Sequence, residues 1–108
     1  MRHDVKHLAD SMQAGWSKIP RNCPGKSWYK RFDEVIACCP LMHASVGHVH
    51  RIVSLLALSE HFPILLEQHV IDRNNSEVTL LNAVIQLADE YRWTTPQIIE
   101  WLRTHEQD

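Results

Sequence analysis

Two clusters of residues in this chain are of types that can do chemistry, and their spacing decides what each can do. The first is Gly25, Lys26 and Ser27, the end of the stretch PRNCPGKS at 20–27. These letters match the tail of the phosphate-binding loop GxxxxGK[ST], whose glycines let backbone N–H groups wrap a phosphate. Here the position of the first glycine is Pro20. The motif also needs a β-strand before the loop, and the preceding residues read instead as an amphipathic helix and a proline-broken connection. The 108 residues leave no evident room for the parallel sheet of such enzymes. GKS is therefore not read as an NTPase signature.

A weaker role for the region remains. Ser27 can open a helix, and helix N-termini attract anions. Lys18, Arg21, Lys26, Lys30 and Arg31 gather around it, with no acidic residue between Asp10 and Asp33. Trp16, Trp28 and Tyr29 are interleaved with them. Cations for phosphates and aromatic rings for stacking are what a nucleic-acid surface needs. Helical spacing assigns Trp16 and Trp28 to a core stripe, whereas Tyr29 lies off it.

The second cluster is Cys38, Cys39, His43, His48 and His50, all within thirteen residues. Structural zinc asks for four nitrogen or sulfur ligands in tetrahedral array. The spacing does not fit a paired CxxC…HxxxH site, and Pro40 interrupts a common face for Cys39 and His43. A three-ligand site of Cys39, His43 and one later histidine stays open, and no metal and no cofactor is assigned. A thiol beside His43 could act as nucleophile and base, but that chemistry needs a third orienting group, and nothing marks one. HExxH, GxSxG and paired acidic motifs are absent. The expectation is a protein that is not an enzyme.

The elements that must carry these residues read as helices. Val5, Leu8, Ala9, Met12 and Trp16 fall on one helical face, with Asp4 as N-cap and Gly15 near the C-cap. Ser27 caps a second helix bearing Trp28, Phe32, Val35, Ile36 and Cys39, stopped by Pro40. A third runs from about Ala44 to Glu60 and is apolar on most sides, as a central helix is. PILLEQHVI at 63–71 is a helical turn or a brief extended piece. Ser76 caps a helix with Leu80, Leu81, Val84, Leu87, Ala88 and Tyr91 in register. Thr95, followed by Pro96, caps the last helix with Ile98, Ile99 and Leu102. Five to six short helices predict an all-α, single-domain bundle over residues 1–108 with a frayed tail.

The helix pair at 77–104 has the spacing of a helix-turn-helix. Its turn places Arg92 where glycine is usual, and its second helix exposes Gln97, Glu100 and Arg103 among acidic neighbours. Residues 1–54 net +4 and residues 55–108 net −6. An acidic half is a poor reader of DNA, because phosphate contacts dominate that affinity.

No apolar stretch approaches the ~20 residues that span a bilayer. The N-terminus lacks a secretory signal, and three cysteines, two of them adjacent, make a poor disulfide framework. A cytoplasmic location is expected, without membrane association. Eight histidines predict a change in stability or association as pH falls from about 7 to 5.5.

The reading that follows is a small binding protein with a protein partner: an adaptor, inhibitor or small subunit. Tyr29, Arg31, Arg92 and Trp93 are the interface candidates, because spare aromatic and Arg residues anchor protein interfaces. The alternative is a nucleic-acid-binding regulator using the basic 18–31 region, the 77–104 pair, or both. Homodimerisation through FPILLEQHVI, which places Phe62, Ile64, Leu65 and Leu66 close together, is a third expectation.

Overall fold

Arg2–Lys18 forms helix α1, and Val5, Leu8, Ala9 and Met12 make a fully buried stripe along it. The structure is a computed structural model that describes residues 2–22, 29–31 and 35–105. Helix α1 begins at Arg2, so Asp4 lies inside it and does not cap it. Gly15 is likewise internal, and its role is steric. A Cβ on Gly15 would overlap the backbone carbonyl of His43. Gly47 answers it from the partner helix, α2 (Pro40–Val49): a Cβ there would overlap the Ser11 carbonyl and stand 2.8 Å from the Gly15 nitrogen. The two helices touch backbone to backbone at this crossing, with no side chain between them.

The helix expected from Ser27 to Cys39 is not formed. Strands β1 (Tyr29–Arg31) and β2 (Val35–Cys38) pair antiparallel, with Tyr29 opposite Cys38 and a bulge between Lys30 and Arg31. The other edge of β2 is taken as well. Asn22 bridges to Cys38 in parallel, and the Cys38 N–H donates to the Arg21 carbonyl at 3.1 Å. The residue before a proline is pushed into extended backbone, and Cys39 sits at φ −75°, ψ 165°. Tertiary pairing overrides the weak helical pattern of this segment. Ser27, Trp28 and Phe32 lie outside the described residues.

Pro40 therefore begins a helix where it was expected to end one. It occupies the first helical position of α2, where its missing N–H costs nothing. Cys39 is the N-cap, its Sγ accepting the Met42 N–H at 3.4 Å. Every residue from Pro40 to Val46 is buried, as befits the central helix. The expected single helix from Ala44 to Glu60 is broken, however. His50 turns left-handed at φ 68°, and Ser54 caps a new helix, α3 (Leu55–His61), by accepting the Ala57 N–H. Buried Ser45 stabilises the break: its hydroxyl donates to the Arg51 carbonyl and accepts the Val53 N–H at 3.2 Å.

PILLEQHVI divides into a turn of helix, α4 (Ile64–Glu67), and strand β3 (His69–Ile71). Strand β4 (Glu77–Thr79) pairs with β3 antiparallel, Val70 opposite Val78. Ser76 does not cap the next helix, because the chain stays extended to Thr79. Thr79 caps α5 (Leu80–Asp89) by accepting the Asn82 N–H at 3.2 Å. The last helix, α6 (Thr95–Thr104), is capped by Thr94, one residue earlier than expected, with Gln97 reaching back to the Thr94 N–H at 2.7 Å. The fold is thus mostly α, with six helices and two short hairpins among the described residues, and not purely α.

A single buried cluster joins α1, α2, α5 and α6, with Leu58, Phe62, Ile64 and Leu65 closing it from α3 and α4. Phe62, Ile64 and Leu65 are therefore occupied in the monomer core, which leaves Leu66 and Ile71 as the exposed large apolar residues of the expected dimer segment. The Cα radius of gyration, 12.8 Å, is that of a compact chain of about 100 residues. Among the described residues no helix is long and apolar enough to cross a membrane.

Candidate functional site: a groove beside the last helical turn

Helix α5 ends in an unusual way, and the ending places the site. The Trp93 N–H donates to the Leu87 carbonyl at 2.9 Å, six residues back, and Arg92 takes φ 57°. Arg92 thus holds a left-handed position, which at helix ends is normally glycine, and the chain turns back on the end of α5. The bond from its N–H brings Trp93 back onto Leu87. Both line one groove of about 240 Å³. Ala83, Gln86 and Leu87 of α5 form one side of its wall, and Trp101 of α6 contributes to it. The end of the second hairpin supplies Ile71, Asp72 and Arg73.

The hairpin turn is rigid for reasons the sequence makes plain. Asp72 Oδ1 accepts the N–H groups of Asn74 and Ser76, each at 2.9 Å, and Asn75 takes the left-handed region that asparagine tolerates. The Ser76 N–H, with help from Asn74 and the Gln86 amide, holds the Asp72 carboxyl below the usual carboxylate range; its slight desolvation opposes them. Gln86 Nε2 donates weakly to Asp72 Oδ2 at 3.4 Å and fastens the turn to α5. The turn carries the Arg73 guanidinium over two aromatic faces, 4.7 Å from the Tyr91 ring centre and 5.2 Å from that of Trp93. Ile71 stands at the rim, 60% exposed.

Of the interface candidates, Trp93 is half-buried. It packs on the core with one part and lines the groove with another. Arg92 is exposed and shapes the turn through its backbone without lining the groove. Tyr29 and Arg31 belong to the backbone of β1, in the other hairpin. Sequence reasoning missed Arg73 and Trp101, and took Tyr91 for core alone. The signal available in the sequence is the Asp-x-Asn pattern of Asp72–Asn74, which marks a turn closed by the Asp side chain.

The basic residues are less convergent. Lys18 is exposed, with its Nζ 2.9 Å from His50 Nδ1, and Arg21 is exposed beyond the end of α1. Lys30 and Arg31 lie on β1, and Lys26 lies outside the described residues. Trp16 is half-buried with its ring edge-on to His43, 5.2 Å between centres.

The Cys/His cluster is dispersed by the fold. Cys38 is buried and Cys39 caps α2. His48 leaves the cluster to meet His7 and His61, at 4.8 and 5.4 Å between ring centres. Its desolvation first, then the neighbouring histidines, lower its pKa. Among the described residues no three His, Cys, Asp or Glu groups converge to hold a metal ion.

His43 has a structural role instead. It is fully buried, and both ring nitrogens are used. A carbonyl oxygen only accepts, so Nε2 carries the proton and donates to the Ile19 carbonyl at 2.7 Å. Nδ1 is then an acceptor, and the Thr95 hydroxyl donates to it at 2.7 Å. Asn22 completes the arrangement. Its Nδ2 donates to Thr95 Oγ1 at 2.7 Å and to the Cys38 carbonyl at 3.1 Å, and its Oδ1 accepts the Thr95 N–H at 3.0 Å. Every donor meets an acceptor only while the imidazole is neutral. Desolvation lowers the His43 pKa, and its hydrogen bond to the Ile19 carbonyl, with the nearby Arg21 backbone, opposes that only in part.

Comparison with family models, with curated proteins and with solved structures finds no match to this chain.

Proposed function

We propose that this chain is a non-enzymatic helical module that binds a protein partner, as an adaptor, inhibitor or small subunit. The observation that carries this reading is the groove in which Trp93, Trp101 and an aromatic-stacked Arg73 meet beside exposed Ile71. Trp, Tyr and Arg dominate the energetic centres of protein interfaces, and they do so when they line a recess that a partner can dry. The rings are preordered by the helix ending and the hairpin turn, so little conformational freedom remains to be lost on binding.

The test is affinity capture from a lysate of the source organism, with and without nuclease. Wild type is compared with Trp93→Ala, with Ile71→Ser at its exposed position, and with the double reversal Lys26→Glu/Arg31→Glu. Under this reading one protein species survives nuclease. It is weakened by at least about 2 kcal/mol, roughly thirtyfold, in Trp93→Ala, weakened less in Ile71→Ser, and retained by the double reversal. Recovery of nucleic acid, with protein bands lost on nuclease treatment and on charge reversal, would transfer the function to the basic 18–31 region.

A further inference from the structure

Two charged residues line the groove, and only one has its polar atoms committed. Asp72 uses Oδ1 on two backbone N–H groups of its own turn and Oδ2 on Gln86. Arg73 meets Tyr91 and Trp93 by its cationic face, and it takes part in neither ion pair found among the described residues. A cation–π contact holds a guanidinium in place without consuming its N–H donors, and that fork matches a carboxylate. The remaining wall at Ala83, Leu87, Trp93 and Trp101 is largely apolar. The groove's 240 Å³ is below the ~300–1,000 Å³ of small-molecule pockets and suits one large side chain. The half of the chain that carries it nets −6, which sets a limit on how acidic a ligand can be. Each residue of an acidic run would meet that field within the Debye length of about 8 Å, whereas a single carboxylate meets it once and is offset by its contact with Arg73.

Resting on the groove reading above, the geometry points to the chemistry of the partner. It inserts a short segment with one large apolar side chain beside a single carboxylate, the apolar group against Leu87, Trp93 and Trp101 and the carboxylate on Arg73. Asp72 has its oxygens held by its own turn and by Gln86, whereas Arg73 takes part in neither ion pair, and that local difference selects this occupant over a basic or a neutral segment.

The probes are eight-residue synthetic peptides with a central Leu or Phe, flanked by one Glu, one Gln, one Lys or four Glu residues. Each is titrated calorimetrically into the full chain and into Arg73→Gln. Arg73 is exposed, so its substitution leaves the fold intact, which far-UV circular dichroism checks. The single-Glu peptides bind the wild type about tenfold more tightly than the Gln peptides, and Arg73→Gln removes that preference. Equal binding of Glu and Gln peptides, or a preference for Lys or for four Glu, overturns the assignment. If no peptide binds while Trp93→Ala still ends capture of the nuclease-resistant partner, the partner chemistry is wrong and the groove reading stands. If Trp93→Ala leaves capture unchanged, both fail.

Discussion

Thr95→Val should destabilise the protein by about 2–4 kcal/mol, although valine is nearly the same shape. The hydroxyl it removes serves two neighbours at once. His43 Nδ1, fully buried, loses the proton it accepts, and Asn22 Nδ2 loses one of its two acceptors. A buried polar atom left without a partner costs about 1–3 kcal/mol. His43 should bear the full cost, and half-buried Asn22 less, because water can reach it. Thr94 caps α6, so the helix terminus itself is untouched. Thr95→Ser keeps the hydroxyl and loses one methyl group, about 1 kcal/mol. Urea unfolding of both variants at pH 7.5 separates the two effects, and against a total stability of about 5–15 kcal/mol the valine change is large. If valine proves no worse than serine, the hydrogen-bond assignment around His43 is wrong.

Three further outcomes are expected. His43 and His48 have pKa values lowered from 6.5, so the unfolded chain binds protons that the native state refuses. Their contribution is fully present above about pH 7 and declines as pH falls below 6.5; equal melting temperatures at pH 7.5 and 5.5 would contradict this. Arg92→Gly should raise stability by about 0.5–1 kcal/mol in denaturant titration, because glycine holds φ 57° without Cβ strain. Gly15→Ala should cost at least about 1–3 kcal/mol, since the atom it overlaps is the His43 backbone carbonyl, which no rotamer change can move aside. A thermal shift within a degree of wild type would show that the α1–α2 crossing can relax.

Much of the helical frame was legible, for a physical reason. The stripes of α1, α5 and α6 have one buried face each, so the 3.6-residue period survives in the sequence. The 44–60 region is apolar on most sides and carries no phase, so nothing in its pattern marks the break at 50–54 that Ser45 stabilises. The first hairpin was missed, and β3 was legible only as one of two alternatives, because strands of three and four residues are too short for alternation to register. Pro40 was ambiguous in principle, since proline both ends one helix and begins another. At the groove, Arg92 in a glycine position and the neighbouring Trp93 were visible. Arg73 was not, because only the pairing of His69 with Thr79 and the Asp72 turn carry it over Tyr91 and Trp93.

The tie among Asn22, His43 and Thr95 also bears on the order in which the chain folds. Its bonds join residues 52 and 73 positions apart, and the entropy of closing such loops must be spent before the contact gains anything. Local helices and the β3–β4 hairpin can form first, whereas this tie needs both ends of the chain already in place. It should therefore be largely absent from the folding transition state, and substitutions in it should speed unfolding while leaving the folding rate nearly unchanged. Such a contact sets how long the native state lasts once formed, and it adds little to how quickly that state is reached.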